Sequence, residues 1–253
     1  MSSEWVTFSY PASDVVVVTL TRPDKLNALT GDMVGRITAF ARELDGATRV
    51  VVITGQGRAF SAGGDVRALV SLSPQQTADY LAGYGRLDEA IAASGALWIA
   101  AVNGLAYGGG LEIAAMCDVR IADVEATFCV ADIEVGALPT GGLTWRLPRM
   151  IGAGAASWLV LTNAVVDAHR ALAMSLVDEV TEQGGALPRA LALASTMTKF
   201  HPDAVRANRA ALRQAWTSSL ADATAMEVSE SVRLLSKAEI IGPLRERFGD
   251  PSS

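Results

Sequence analysis

The chain has 253 residues, half of them hydrophobic and 19% charged, with a formal net charge of −6. That apolar content excludes a disordered polymer and is enough for one large domain, or a domain with an appendage. The acidic balance argues against a nucleic-acid partner, because no basic excess exists to neutralise phosphates.

The N-terminal stretch MSSEWVTFSYPASD lacks a basic segment and an apolar core, so no signal peptide is read. The opening reads as strand. Val15–Leu20 is a β-branched run without alternation, the pattern of a strand buried on both faces. Arg22-Pro23-Asp24 breaks it. The spacing of Val34, Ile37, Phe40, Ala41 and Leu44 predicts a helix capped by Thr30. Val50–Thr54 is a second buried strand, followed by a loop over 55–64 and a short helix around 65–72. Ser73-Pro74 opens a helix to about Ala93. Leu97–Val102 is a third strand; it runs into Asn103 through Gly110 and then an apolar helix, Leu111–Met116. Val119–Ala122 and Ala126–Val130 read as further strands. Beyond about Leu143 the pattern is helical, over 153–161, 168–175, 187–198, 203–216 and 220–236, with one more strand at 176–180. The expectation is an α/β core over 1–190 and a helical region over 191–253, with Gly184-Gly185 as the local marker. No run approaches the roughly 20 apolar residues that span a bilayer, so no membrane partner and a cytoplasmic location are expected. Cys117 and Cys129 are the only cysteines and are expected reduced and buried.

Two glycine-rich loops lie between strands and helices: 57–65, and 103–110 with its Gly108-Gly109-Gly110 triplet. Glycine permits close approach of backbone to a ligand, and helix-start N–H groups are unpaired, so two such loops could hold an oxyanion. Neither GxGxxG nor GxxxxGK[ST] occurs, which excludes the familiar nucleotide loops. Ser61 falls one residue short of a GxSxG elbow, and the only histidines, His169 and His201, offer no recognisable base for it. Two histidines also speak against a transition-metal site. Glu112, inside the apolar run GGLEIAAM, stands out: a carboxylate there needs a partner or a function. Asp132 follows 20 residues later. A carboxylate pair suits proton transfer, and an N–H pair suits an enolate. Glu134, in a locally extended stretch, would share a face with Asp132.

These stretches resemble the enoyl-CoA hydratase/isomerase, or crotonase, superfamily. The matching blocks are RPDKLNALT (22–30), GRAFSAGGDV (57–66), IAAVNGLAYGGGLEIAAMCDVRIA (99–122), 128–139, GGLTWRLPRMIG (141–152) and LTNAVVDAHRALAMSLVDEV (161–180). The resemblance implies a crotonase-like spiral of ββα units with C-terminal helices used in trimer contacts, hence a homotrimer or a dimer of trimers. It implies acyl-CoA thioesters as substrates and no cofactor beyond the CoA they carry. Its oxyanion hole falls on the amides of Ala62 and Gly109. CoA contacts fall on Lys25, Leu26 and Ala28 and on the loop of Ala62 and Asp65, with Arg22, Lys25 and Arg67 able to meet the CoA phosphates. Its two catalytic acids fall on Glu112 and Asp132, the second an aspartate where hydratases of the family carry glutamate; Glu134 falls on a variable surface position. Ala96-Leu97 replaces a common Lys-Pro, and Trp145 a frequent Gln. Thr140 stands where relatives that hydrolyse 3-hydroxyacyl-CoA or shift double bonds in aromatic degradation often carry Asp. The expected activity is hydration of a 2-enoyl-CoA, with Glu112 as base on water and Asp132 assisting protonation of C2. The alternatives are an enoyl-CoA isomerase or a non-catalytic acyl-CoA-binding protein.

Overall fold

The computed structural model describes residues 5–249. The chain divides into two compact units with the boundary after Ser195. In the first unit the elements run β1 (Val6–Ala12), β2 (Val15–Leu20), α1 (Gly31–Glu43), β3 (Val50–Gly55), β4 (Ala59–Ser61), α2 (Val66–Leu69), α3 (Pro74–Ala93), β5 (Leu97–Val102), β6 (Leu105–Tyr107), α4 (Gly109–Met116), β7 (Val119–Asp123), β8 (Thr127–Cys129), α5 (Leu143–Met150), α6 (Ala153–Thr162), β9 (Val166–Asp167), α7 (Ala168–Ala173) and β10 (Glu179–Thr181). Helix α8 (Ala186–Met197) reaches the boundary. The second unit holds α9 (Pro202–Gln214), α10 (Leu220–Leu235) and α11 (Ala238–Phe248).

Local chemistry sets the helix starts. Thr30 caps α1 by accepting the Met33 N–H, and Met33, Val34, Ile37 and Ala41 turn to the core. Ser73 and Gln76 cap α3 reciprocally, with Pro74 in its first turn, where a missing N–H costs nothing. Helix α4 is buried on every side, as its all-round apolar sequence requires.

Two sheets form. The larger has the order β1-β2-β3-β5-β7-β10, parallel except for the β1–β2 hairpin. The smaller has the order β4-β6-β8-β9, with β4, β6 and β8 parallel. Each passage along the chain therefore adds one strand to each sheet before a helix returns it: β3 with β4, β5 with β6, β7 with β8. This is the spiral of ββα units that the resemblance implied. Trp98, Phe60 and Phe128 are among the largest fully buried side chains of the core.

Several elements depart from the sequence reading. Strands β4 and β6 lie inside the two stretches read as loops; three residues each, beside glycines, are too short to show periodicity. Helix α4 begins two residues earlier than expected, within the glycine triplet. Residues 132–135 form a 3₁₀ turn rather than an extended segment. Glu134 is exposed and its Oε2 accepts from Asn163 Nδ2 at 3.2 Å, so it does not share a face with Asp132. Both cysteines are free and buried. Among the described residues no helix is long and apolar enough to cross a membrane.

Candidate active site

The smaller sheet assembles the site. Strands β4, β6 and β8 are parallel neighbours that end at Ser61, Tyr107 and Cys129, so the residues that follow emerge at one edge. Those residues are Ala62–Asp65, Gly108–Glu112 and Val130–Asp132. In parallel sheets this carboxyl end is where ligands bind.

Glu112 lies in the first turn of α4 and is 2% exposed. Its Oε1 accepts the Gly141 N–H at 2.6 Å, and the Thr140 amide also favours its ionised form. Burial outweighs these donors and, with the nearby charge of Asp132, pushes the carboxyl up to about 7. Asp132 opens the 3₁₀ turn beyond β8, and burial pushes it up to about 6. Its Oδ2 is buried without a hydrogen-bond partner, 3.9 Å from where a Cβ on Gly108 would stand. The structure thus brings the two expected acids together. Between about 6 and about 7 the pair carries one proton, so one member is acid and the other base.

The amides correct one expectation. The Ala62 N–H donates to the Leu26 carbonyl at 2.8 Å and is not available to a ligand. The open amide on this loop is that of Gly64. Leu29 donates to the Gly63 carbonyl at 2.7 Å and accepts the Asp65 N–H at 2.9 Å, forming a parallel bridge with Gly64. A parallel bridge uses the groups flanking the paired residue, which turns the Gly64 N–H to the opposite side. Gly109 is the first residue of α4, and its N–H is likewise open: among the described residues neither amide has a partner. The two loops touch. A Cβ on Gly63, where φ is +91°, would fall 2.7 Å from the Tyr107 carbonyl and 3.2 Å from Gly109 N.

The expected CoA residues divide. Arg22 is not a free phosphate partner: its guanidinium binds Asp65 Oδ2 at 2.6 Å and the Ala28 carbonyl at 3.1 Å, and it lies over the Trp5 ring. That pairing holds the Asp65 carboxyl below its ordinary value, and Asp65 also caps α2. The N–H groups of Lys25, Leu26 and Ala28 close turns onto Arg22, Pro23 and Lys25. The Lys25 and Arg67 side chains are exposed and form no ion pair among the described residues.

Beyond Gly64, four contributors were not assigned from sequence. Asn27, fully buried with φ of +54°, ties Arg22 N to the Gln56 and Ala59 carbonyls. The Gly141 amide orients Glu112. Tyr80 and Tyr84 lie in the stretch 70–84 expected to shape the pocket but were not singled out there; they stand against the glycines of the open amides. Asn27 carried a signal in its polar position between Leu26 and Leu29; the direction of an N–H carries none. Ser61 is no nucleophile candidate, because its buried hydroxyl donates to the Asn27 carbonyl and accepts from Gly63 N–H.

Comparison with known proteins accords with this arrangement. A probable enoyl-CoA hydratase of Mycobacterium tuberculosis is 39% identical over 212 residues, covering 82% of this chain and 81% of its own. An enoyl-CoA hydratase structure from Bacillus anthracis superposes with a TM-score of 0.91 at 27% identity, covering 96% of each chain. A putative enoyl-CoA hydratase from Thermobifida fusca, solved in complex with CoA, gives a TM-score of 0.85 at 29% identity, covering 92% of this chain and 93% of its own. Residues 11–244 match the family described as enoyl-CoA hydratase/isomerase. With ββα units winding through two sheets and its acids and open amides at one sheet edge, the chain belongs to the enoyl-CoA hydratase/isomerase family.

Proposed function

We propose that this chain hydrates the C2=C3 bond of a 2-enoyl-CoA thioester. The observation that carries the reading is the pair of carboxylates, Glu112 buried and Asp132 half-buried with its Oδ2 enclosed, beside the open amides of Gly64 and Gly109. The thioester carbonyl would accept both amides, which stabilise the enolate that forms as water adds. The single proton of the pair rests mainly on Glu112, and the reacting state is the one in which it has passed to Asp132. Ionised Glu112, held by Gly141, then takes a proton from the water held between the acids, and the oxygen bonds to C3. Asp132 delivers a proton to C2, and the proton gained by Glu112 returns across the pair, closing the cycle.

CoA would lie along Lys25, Leu26, Ala28, Ala62 and Asp65, with Lys25 and Arg67 toward its phosphates; Arg22 acts by holding Asp65. The CoA-bound relative from Thermobifida fusca supports this ligand. The scheme draws on no other cofactor. Assembly as a homotrimer or a dimer of trimers belongs to the same reading, and exposed Leu220, Val228 and Val232 on α10 suit it.

A screen of crotonyl-CoA, long-chain 2-enoyl-CoA and 3-enoyl-CoA with products identified tests the reading. The expected product is a 3-hydroxyacyl-CoA. A shifted double bond as the sole product would make the chain an isomerase, and binding without turnover would make it an acyl-CoA-binding protein.

A further inference from the structure

Helix α3 presents Tyr80 and Tyr84 one turn apart on the same face. Their rings meet edge to face at 5.8 Å, and their hydroxyls lie 3.1 Å from each other. Tyr80 Oη also lies 3.1 Å from the Leu29 carbonyl, which can only accept. A phenol has one proton, so Tyr80 donates to Leu29 and Tyr84 donates to Tyr80. The chain of hydrogen bonds ends on the carbonyl that also accepts the Asp65 N–H, one of the two bonds that turn the Gly64 amide outward.

The same oxygens press on both glycines of the amide pair. A Cβ on Gly64 would stand 2.8 Å from Tyr80 Oη, and one on Gly109 would stand 2.4 Å from Tyr84 Oη. Tyr84 is 2% exposed, so its hydroxyl has no bulk water to exchange with. Burial raises both phenols above their ordinary range, and both acids add to the shift, so the pair stays protonated and sits within electrostatic reach of Glu112 and Asp132.

We propose that Tyr80 and Tyr84 are positioning residues for the oxyanion hole: as a hydrogen-bonded pair they fix the separation and aim of the Gly64 and Gly109 amides. This rests on the preceding reading that these amides receive a thioester carbonyl. Oxyanion donors act only when held in place beforehand, and a displacement of about 1 Å can cost about a hundredfold in rate. A tyrosine pair kept for core packing alone would give way to phenylalanine without functional change.

The test uses the full chain as Tyr80→Phe, Tyr84→Phe and the double variant, each change removing one oxygen. The probe is butyryl-CoA labelled with carbon-13 at the carbonyl; it is saturated and cannot be hydrated. Difference infrared spectroscopy reads the carbonyl stretch of the bound thioester, and crotonyl-CoA gives kcat and KM. In the wild type the stretch moves to lower frequency on binding. In each single variant that movement shrinks, kcat falls about tenfold, and KM and butyryl-CoA affinity stay within about threefold. The double variant is little worse than the weaker single one, because one chain has been cut twice. Tyr80→Phe, at the less buried position, serves if Tyr84→Phe does not fold. A wild-type carbonyl shift in all variants would overturn the proposal. No shift in the wild type would remove the oxyanion assignment and this proposal with it. A shift that shrinks in the variants supports the positioning role even if no enoyl-CoA is hydrated, in which case only the hydratase reading falls.

Discussion

Replacing Glu112 by Gln separates catalysis from stability. Gln keeps the volume and can still accept the Gly141 N–H, but it cannot take a proton. A hundredfold or greater loss of hydration is expected for a positioned acid-base group, with acyl-CoA binding nearly intact. Stability should move the other way with pH. The Glu112 carboxyl stands at about 7 against an ordinary value of 4.5. At about 1.36 kcal/mol per unit, its ionisation weakens the folded state by about 3 kcal/mol when complete. The folded protein holds this proton more tightly than the unfolded chain. Stability is therefore lost as pH climbs from about 4.5 to about 7 and stays lost above. Near pH 5 the loss is about 1 kcal/mol; near pH 8 it is the full amount. The buried Gln amide facing Thr140 subtracts a pH-independent quantity, so the change with pH is the measurement that matters. Urea denaturation of wild type and E112Q at both pH values should show the difference moving in favour of the variant by about 2 kcal/mol between pH 5 and pH 8. An identical difference at both pH values would refute the claim that Glu112 is a buried acid with a raised pKa.

Asp132→Asn should cost about as much activity as Glu112→Gln, because both acids serve one water and one substrate, while Asp132→Glu should bring no gain. A neutral Asn variant together with an improved Glu variant would mark Asp132 as a remnant. The rate should follow a bell between the apparent values of the pair, about 6 and about 7, and fall on both sides as it comes to hold two protons or none; a flat profile from pH 5 to pH 9 would contradict this. Arg22→Ala breaks an ion pair whose side chains are 16% and 15% exposed, and should lower stability by about 2 kcal/mol in a denaturant titration. Arg67→Ala should instead leave stability unchanged and weaken CoA binding a few-fold, more at low salt; the reverse pattern would restore Arg22 as a phosphate contact.

The larger sheet was legible because β2 and β3 are β-branched runs and β5 is an uninterrupted apolar one, and α1 and α3 because Thr30 and Ser73-Pro74 announce their starts. Of the smaller sheet only β8 was legible, within the strand read over 126–130; β4 and β6 are three residues each beside glycines and draw their stability from neighbours distant in sequence. Glu112 announced itself as a charge in an apolar helix. Ala62 was the wrong amide because motif position says which loop holds a donor, while the Leu29 pairing decides which N–H points outward. Arg22 was misread for a similar reason: a cation near a glycine loop looks free until its carboxylate, 43 residues away, is placed beside it. The tyrosines are ordinary helix residues until the fold sets their hydroxyls against Gly64 and Gly109.

The parallel run of β4, β6 and β8 divides labour along one edge. The first two strand ends supply the amides, the second also supplies Glu112, and the third supplies only Asp132. Under the proposed function, the acid at the third strand end can therefore change without altering the amides at the first two. On that reading, a chimaera exchanging residues 130–136 for another proton-transfer segment should still bind acyl-CoA while its product, identified by mass spectrometry, changes.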